Sequence, residues 1–358
     1  MKKYPRLLWN EKKLRANVRF LNNLFNSYEN PIKWIPVTKG ICAYPDIIRV
    51  LIDEGVSEIA DSRIENIKVI KEVAASCKTL LLRLPSIYEV PEVIEHADIS
   101  LVSETETLLK LQESAKAVGV KHSIILMIEL GDLREGILPD DVLAMGRFIL
   151  QQDHLQWLGI GTNLACYSGV LPTREKMERL VEMKRNIANE LEHDLMVVSG
   201  GNSSTLSLML EHDLPKGINQ LRLGESLLLG NDTASGRPIL GMHSDVFKLE
   251  AEVIEVKVKS SMPQGKQGKN AFGHSVVLED LGQHSRAIVA IGRQDVVIED
   301  IEPIDERIRI LGGSSDHMIL DVQEVDIKVG DIVAFSIRYS SLLQAMTSPY
   351  IRKEKLIT

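Results

Sequence analysis

Short apolar runs rich in Val, Ile and Leu recur through the first two-thirds of the chain, separated by stretches with helical spacing. The apolar runs fall at Lys33–Thr38, Glu58–Ala60, Thr79–Leu84, Ile99–Ser103, Ser123–Glu129, Leu158–Gly161, Met196–Ser199 and Gln220–Leu223. Amphipathic stretches lie between them at Pro45–Glu54, Ile64–Ala75, Thr105–Val118, Pro139–Gln152, Thr173–Glu192 and Thr205–Glu211. A strand-then-helix unit repeated about eight times over roughly 200 residues predicts an α/β fold, a (β/α)8 TIM barrel. A doubly wound sheet is the alternative. The short strands and the lack of a glycine-rich dinucleotide turn favour the barrel.

The pattern changes after Gly236. Short β-like runs follow at Phe247–Val258, Ser275–Leu278, Ala287–Ile291, Ile308–Leu311, Met318–Val322 and Asp331–Ile337. A Gly/Lys/Gln-rich turn at Met262–Asn270 and an acidic one at Glu299–Glu306 separate some of them. This predicts a C-terminal all-β domain, a small barrel or sandwich. The Leu7–Trp9 run precedes a first helix at Glu11–Leu24 and suits a strand that returns to that domain. The expected division is a barrel over 12–235 and a β domain over 236–358 with an N-terminal strand at 5–11.

Length and composition add bounds. The 358 residues suffice for one large barrel and a smaller domain. A hydrophobic fraction of 44% and a charged fraction of 26% are ordinary for a globular protein. The net charge of −8, with both signs interspersed and no Lys/Arg-rich run, argues against a nucleic-acid partner. Cys42, Cys77 and Cys166 are far apart, which argues against a disulfide framework or a zinc site. The opening MKKYPRLLWNEKK has no apolar core of signal-peptide length, and no apolar run is long enough for a membrane span. The expected setting is the cytoplasm.

In a βα barrel the residues just after each strand meet at one mouth. Here they are Lys39, Asp61 to Arg63, Arg83, Ser103 and Glu104, Asp132 to Arg134, Asn163, Gly200 to Ser204 and Arg222 to Glu225. A lysine, arginines, a Ser/Gly turn and an Arg-Leu-Gly turn together suit an anionic, phosphate-bearing ligand. Lys39 ends an apolar strand, where partial loss of water favours Schiff-base chemistry, but position alone equally allows a rim lysine reaching to solvent. The turn Ser199–Ser204 can bring backbone and hydroxyls to a phosphate or simply cap a helix. Arg222–Glu225 supplies a second such turn, and barrels often bind phosphate after strands seven and eight. Arg134 suits either a ligand or a surface ion pair. Cys166 reads as core or as a reactive thiol, and His317 as structural or catalytic.

Several ordered blocks resemble one family: PVTKGICAYPDI, ADSRIENI, ELGDLREG, GIGTNLACYSG, SGGNSS, LRLGE, AIGRQDV, SSDHMILDV and SLLQAMTSPY. Together they resemble the alanine racemase superfamily, enzymes of pyridoxal 5′-phosphate (PLP), and within it the racemases of ornithine. The resemblance covers nearly the whole chain. It implies a PLP-dependent isomerase that interconverts the L and D forms of a basic amino acid, ornithine or lysine, and works as a homodimer with sites at the subunit interface. Lys39 matches the Schiff-base lysine and one catalytic base. Arg134 matches the arginine at the cofactor's phenolic oxygen, and Arg222 the one at its pyridine nitrogen. Asn202, Ser203 and Ser204, with Gly224 and Glu225, match the phosphate-binding turns. Tyr350 matches a phosphate-reaching tyrosine more loosely, and Asn163 stands where alanine racemases have a histidine.

The sequence also departs from that pattern. Arg293 replaces the catalytic tyrosine of the partner subunit, Met127 replaces a carbamylated lysine, and Ser315–Asp316 replaces a Met-Asp pair. Arg293 is therefore the candidate for the substrate carboxylate, and Cys166, His317 and Asp316 are the candidates for a second catalytic base. A fold-type III decarboxylase is the nearest rival, but it usually carries a cysteine in its β domain, and none follows Cys166 here. A PLP homeostasis protein, a lone barrel, is the non-enzymatic rival.

Overall fold

The computed structural model describes residues 3–30, 32–273, 275 and 279–356. The chain divides into two compact units, Lys12–Ser244 and Met1–Glu11 with Asp245–Thr358.

Strand β1 (Arg6–Trp9) and helix α1 (Glu11–Asn26) open the chain. The alternation then runs β2 (Lys33–Pro36), α2 (Pro45–Asp53), β3 (Glu58–Asp61), α3 (Ile64–Val73), β4 (Lys78–Leu81), α4 (Val90–His96), β5 (Ile99–Val102) and α5 (Thr105–Val118). It continues through β6 (His122–Met127), α6 (Val142–Ile149), β7 (Leu155–Gly161), α7 (Arg174–Leu191), β8 (Val197–Ser199), α8 (Leu206–Leu210), β9 (Gln220–Leu223) and α9 (Glu225–Leu229). Strands β2 to β9 form one parallel sheet in the order β2-β9-β8-β7-β6-β5-β4-β3. A bridge between Val37 and Ala60 closes it between β2 and β3, with Thr38 N donating to Ala60 O at 3.0 Å. The sheet is therefore a barrel, and the doubly wound alternative is excluded.

The strands form where the sequence is apolar on both faces, because helices cover the outside and side chains fill the inside. Ile35, Val37, Ala60, Leu80, Leu101, Ile125 and Met127 pack as the interior cluster. Burial of each large aliphatic stabilises the unit by ~1.5–3 kcal/mol. Helix α4 lies in a stretch without an expected helix. Pro85 and Pro91 break its pattern, yet Pro91 falls in the first turn, where proline is tolerated.

Residues 236–244 stay with the barrel unit and not with the β domain. The cause is Asn17 on α1, whose side-chain amide donates to His243 O at 2.9 Å and Leu227 O at 3.1 Å, while His243 N donates to Asn17 Oδ1 at 2.7 Å.

The second unit contains β10 (Phe247–Ser260), β11 (Gln283–Val289), β12 (Ile301–Pro303), β13 (Arg309–Gly313), β14 (Met318–Asp321), β15 (Ile332–Ile337), α10 (Tyr339–Thr347) and β16 (Arg352–Lys355). Its sheet runs β12-β15-β10-β11-β14-β13, and β1 pairs with β10 and β16. The N-terminal strand thus belongs to this unit. Helix α10 and strands β12 and β16 were not expected from the pattern. The run expected at Ser275–Leu278 falls at 276–278 outside the described residues. No helix among the described residues is long and apolar enough to cross a membrane.

Candidate active site

The barrel unit carries a polar cluster on the loops that leave its strands. After β2 the chain turns sharply. Thr38 O accepts from Ile41 N at 2.9 Å, and Cys42 and Ala43 both take left-handed backbone angles (φ 47° and 46°). Lys39 sits at the start of this turn, half-buried, and its ammonium makes no hydrogen bond or ion pair among the described residues.

The turns after β8 and β9 are tied by one hydroxyl. Ser203 Oγ accepts from Gly224 N at 3.2 Å and from Ser226 N at 3.3 Å. The Ser204 and Ser226 hydroxyls are buried and have no partner among the described residues. A Cβ at Gly224 would lie 3.2 Å from Val37 Cβ, so the glycine lets this turn pack against the end of β2. Gly201 holds φ +115°, which keeps the turn before Asn202 open. Asn202 Oδ1 accepts from Ser204 N at 2.8 Å, and its amide donates to Asn163 Oδ1 at 3.0 Å, Leu164 O at 2.8 Å and Cys166 Sγ at 3.2 Å. Asn163 Nδ2 is buried without a partner.

Arg222 is 3% exposed. It donates to Ser199 Oγ and, at 2.8 Å, to the Thr162 carbonyl. No carboxylate pairs with it among the described residues. Burial pulls its guanidinium down to about 10, partly offset by the nearby Glu135 carboxylate, so it stays protonated at neutral pH. Arg134 is forked by Glu135. Burial works against the Arg134 charge, but Glu135 outweighs it and the group rises above its ordinary value. Glu129 organises this loop by accepting from Gly131 N and, at 3.1 Å, from Arg134 N. Buried Asp132 holds the other side, accepting from Cys166 N at 3.3 Å, Tyr167 N at 3.1 Å and Ser168 N at 3.2 Å. Cys166 is exposed, so it is not a core residue.

The remaining candidates lie in the second unit. His317 Nδ1 and Asp316 Oδ1 are 2.8 Å apart, with Asp316 exposed and His317 half-buried. Arg293 is forked by Glu299, with distances of 3.0 and 2.5 Å, and stacks over Phe272 at 5.5 Å. Tyr350 is exposed. Glu225, in the barrel unit, accepts from Asn231 at 3.1 Å.

The barrel residues fit a phosphate-bearing, nitrogen-containing cofactor. Two N–H groups clasped by Ser203, two unpartnered serine hydroxyls and a buried arginine without an anion are what such a ligand uses. The Thr162 carbonyl and the Glu129 and Glu135 carboxylates escaped sequence reasoning. A backbone acceptor has no side-chain signature, and Glu129 was read as the end of a strand.

The fold agrees with the comparisons. Residues 10–232 match the family model described as alanine racemase, N-terminal domain, and the chain belongs to that family. The ornithine racemase of Acetoanaerobium sticklandii is 43% identical over 99% of this chain and 100% of its own length. The lysine racemase of Thermotoga maritima is 38% identical over 98% of each chain. The alanine racemase structure from Streptomyces lavendulae superposes with a TM-score of 0.75 over 100% of this chain and 98% of that one. At 18% identity it speaks to the fold.

Proposed function

We propose that the chain is a PLP-dependent amino-acid racemase of a basic amino acid, ornithine first and lysine second. The substrate class rests on the two relatives that share the full length at 43% and 38% identity. The observation that carries the cofactor is Arg222, a buried cation with no carboxylate partner, in the same unit as the Ser203 clasp and free Lys39.

Bound PLP supplies an electron sink conjugated to the substrate's Cα. Ser203, Ser204 and the Gly224 turn would hold its phosphate, with Asn202 fixing the Ser204 backbone and Glu225 opening the helix behind. Arg222, protonated at neutral pH, would donate to its ring nitrogen. Arg134, steadied by Glu135, would donate to its phenolic oxygen, and Asn163 would contribute its unpartnered amide. Lys39 would hold the cofactor and would move the Cα proton on one face of the substrate. Racemisation needs a second proton-transfer group on the other face. Cys166 has the most support. It is exposed, accepts from the Asn202 amide, and lies within electrostatic reach of Arg134 and Arg222. Asp316 and His317 are the alternatives.

Arg293 as the substrate-carboxylate group, Tyr350 at the phosphate, a homodimer and a cytoplasmic setting belong to the same proposal. Arg293 then exchanges Glu299 for the substrate carboxylate.

The test is a chiral assay of L-ornithine, L-lysine and L-alanine with the purified holoenzyme in deuterium oxide. The expected product is D-ornithine carrying deuterium at Cα. Carbon dioxide release would point instead to decarboxylation, and turnover of alanine alone would remove the basic-substrate assignment.

A further inference from the structure

Asp61, the last residue of β3, is 0% exposed. No cation pairs with it among the described residues. Its donors are the Thr38 hydroxyl at 2.7 Å, the Asn66 amide at 3.0 Å and Arg63 N at 3.1 Å. A carboxylate so placed is an expensive way to fill space, since an apolar pair would close the same gap without desolvating a charge. What it adds is direction. One of its donors belongs to Thr38, the residue immediately before Lys39.

Thr38 is the hinge of the Lys39 turn. Its N–H donates to Ala60 O at 3.0 Å, and its carbonyl accepts from Ile41 N at 2.9 Å and Ala43 N at 3.3 Å. Its backbone sits at φ −99°, ψ 0°, in a sparsely populated region. Cys42 and Ala43, four and five residues further on, are non-glycines with positive φ. Conformations like these persist where the surroundings fix them. The Thr38 hydroxyl tethers this segment to the end of β3, where Asp61 Oδ2 receives it at 2.7 Å and Ala60 O lies farther off at 3.4 Å.

We infer that Asp61 is a positioning residue for Lys39, acting through the Thr38 hydroxyl to fix the turn from which the lysine reaches its cofactor. The inference rests on the reading of Lys39 as the cofactor-holding lysine. Burial pushes the Asp61 carboxyl up, and its hydrogen bonds to Thr38, Asn66 and the Arg63 and Ser62 amides pull it back.

The experiment uses Thr38→Val, Thr38→Ser, Asp61→Asn and the Thr38→Val/Asp61→Asn double variant, each as full chain given PLP. One readout is the rate at which borohydride fixes cofactor to Lys39. The lysine amine condenses with the aldehyde and loses water, hydride then reduces the C=N bond to a secondary amine, and peptide mass locates it. The other readout is kcat and KM for racemisation. Thr38→Val and Asp61→Asn should each slow labelling and lower kcat by about tenfold or more, with KM within about threefold, as a misplaced reacting group does. Thr38→Ser should stay within about threefold of wild type, and the double variant should be no worse than the worse single one. Labelling and kcat within about twofold of wild type in Thr38→Val, or losses that multiply in the double variant, would overturn the inference. If Asp61→Asn does not fold, the Thr38→Val and Thr38→Ser pair decides. A wild-type chain that is not labelled at Lys39 fails the functional reading itself. A labelled wild type with an indifferent Thr38→Val fails this inference alone.

Discussion

Arg222 donates to the Thr162 carbonyl at 2.8 Å from a position with 3% exposure, and no carboxylate answers its charge among the described residues. The charge therefore weakens the fold and is held for what it binds. Exchange of such a group for an apolar one of similar volume is often neutral or stabilising. Arg222→Met should melt within about 5 °C of the wild type, or above it, while racemisation falls by about a hundredfold or more. Thermal melting beside the chiral assay checks both halves. A large loss of stability would show that Arg222 is structural.

Ser203 Oγ is the shared acceptor of Gly224 N and Ser226 N. Ser203→Ala leaves two buried N–H groups without that acceptor, at ~1–3 kcal/mol of stability. The melting temperature should fall, and the variant should lose cofactor on dialysis faster than the wild type. Absorbance of the dialysed protein measures the second effect.

Cys166 is exposed, whereas burial first, and then the nearby carboxylates, push the Cys77 thiol up to about 11. Iodoacetamide at neutral pH should therefore alkylate Cys166 and spare Cys77, as read by peptide mass. If Cys166 serves one face of the substrate, Cys166→Ala should still exchange the Cα proton of one ornithine enantiomer in deuterium oxide but invert it at least about a hundredfold more slowly. Undiminished inversion would move the role to Asp316 or His317.

His122 begins β6 with 3% exposure and lies 2.8 Å from Ser100 Oγ through Nε2. Burial lowers its pKa to about 4, against an ordinary value of 6.5. The unfolded chain then binds the proton more readily between those values. The associated stability is present above pH 6.5 and is lost as the pH falls towards 4, at most about 3 kcal/mol. His122→Gln should flatten the melting temperature over that window, which melts at pH 4.5 and 7 will show.

The barrel was legible because its strands are buried on both faces, as the continuous run Ser123–Met127 illustrates. Helix α4 was hidden by Pro91, and α10 by its position among β-like runs. The tie that holds 236–244 to the barrel unit includes Asn17 reaching His243, 226 residues away, which no local pattern encodes. Strand-end logic placed Lys39, Asn202 and Ser203 just past the strands, where the structure has them, whereas Arg222 lies within β9. It could not show that Asp61 bonds Thr38, that Glu135 forks its own neighbour Arg134, or that Arg222 answers to a backbone carbonyl.

The pairing of β2 with β9 also sets the timing of the barrel's assembly. Lys39 leaves the ribosome early, yet the ladder of β2 with β9 waits for Gln220–Leu223, roughly 190 residues later. At ordinary rates of synthesis that is ~10–40 s of waiting. Throughout that interval the nascent lysine has neither the Ser203 clasp nor Arg222 beside it. The Ser203 clasp and the buried Arg222 guanidinium therefore join the lysine only in a barrel whose first and last strands have met.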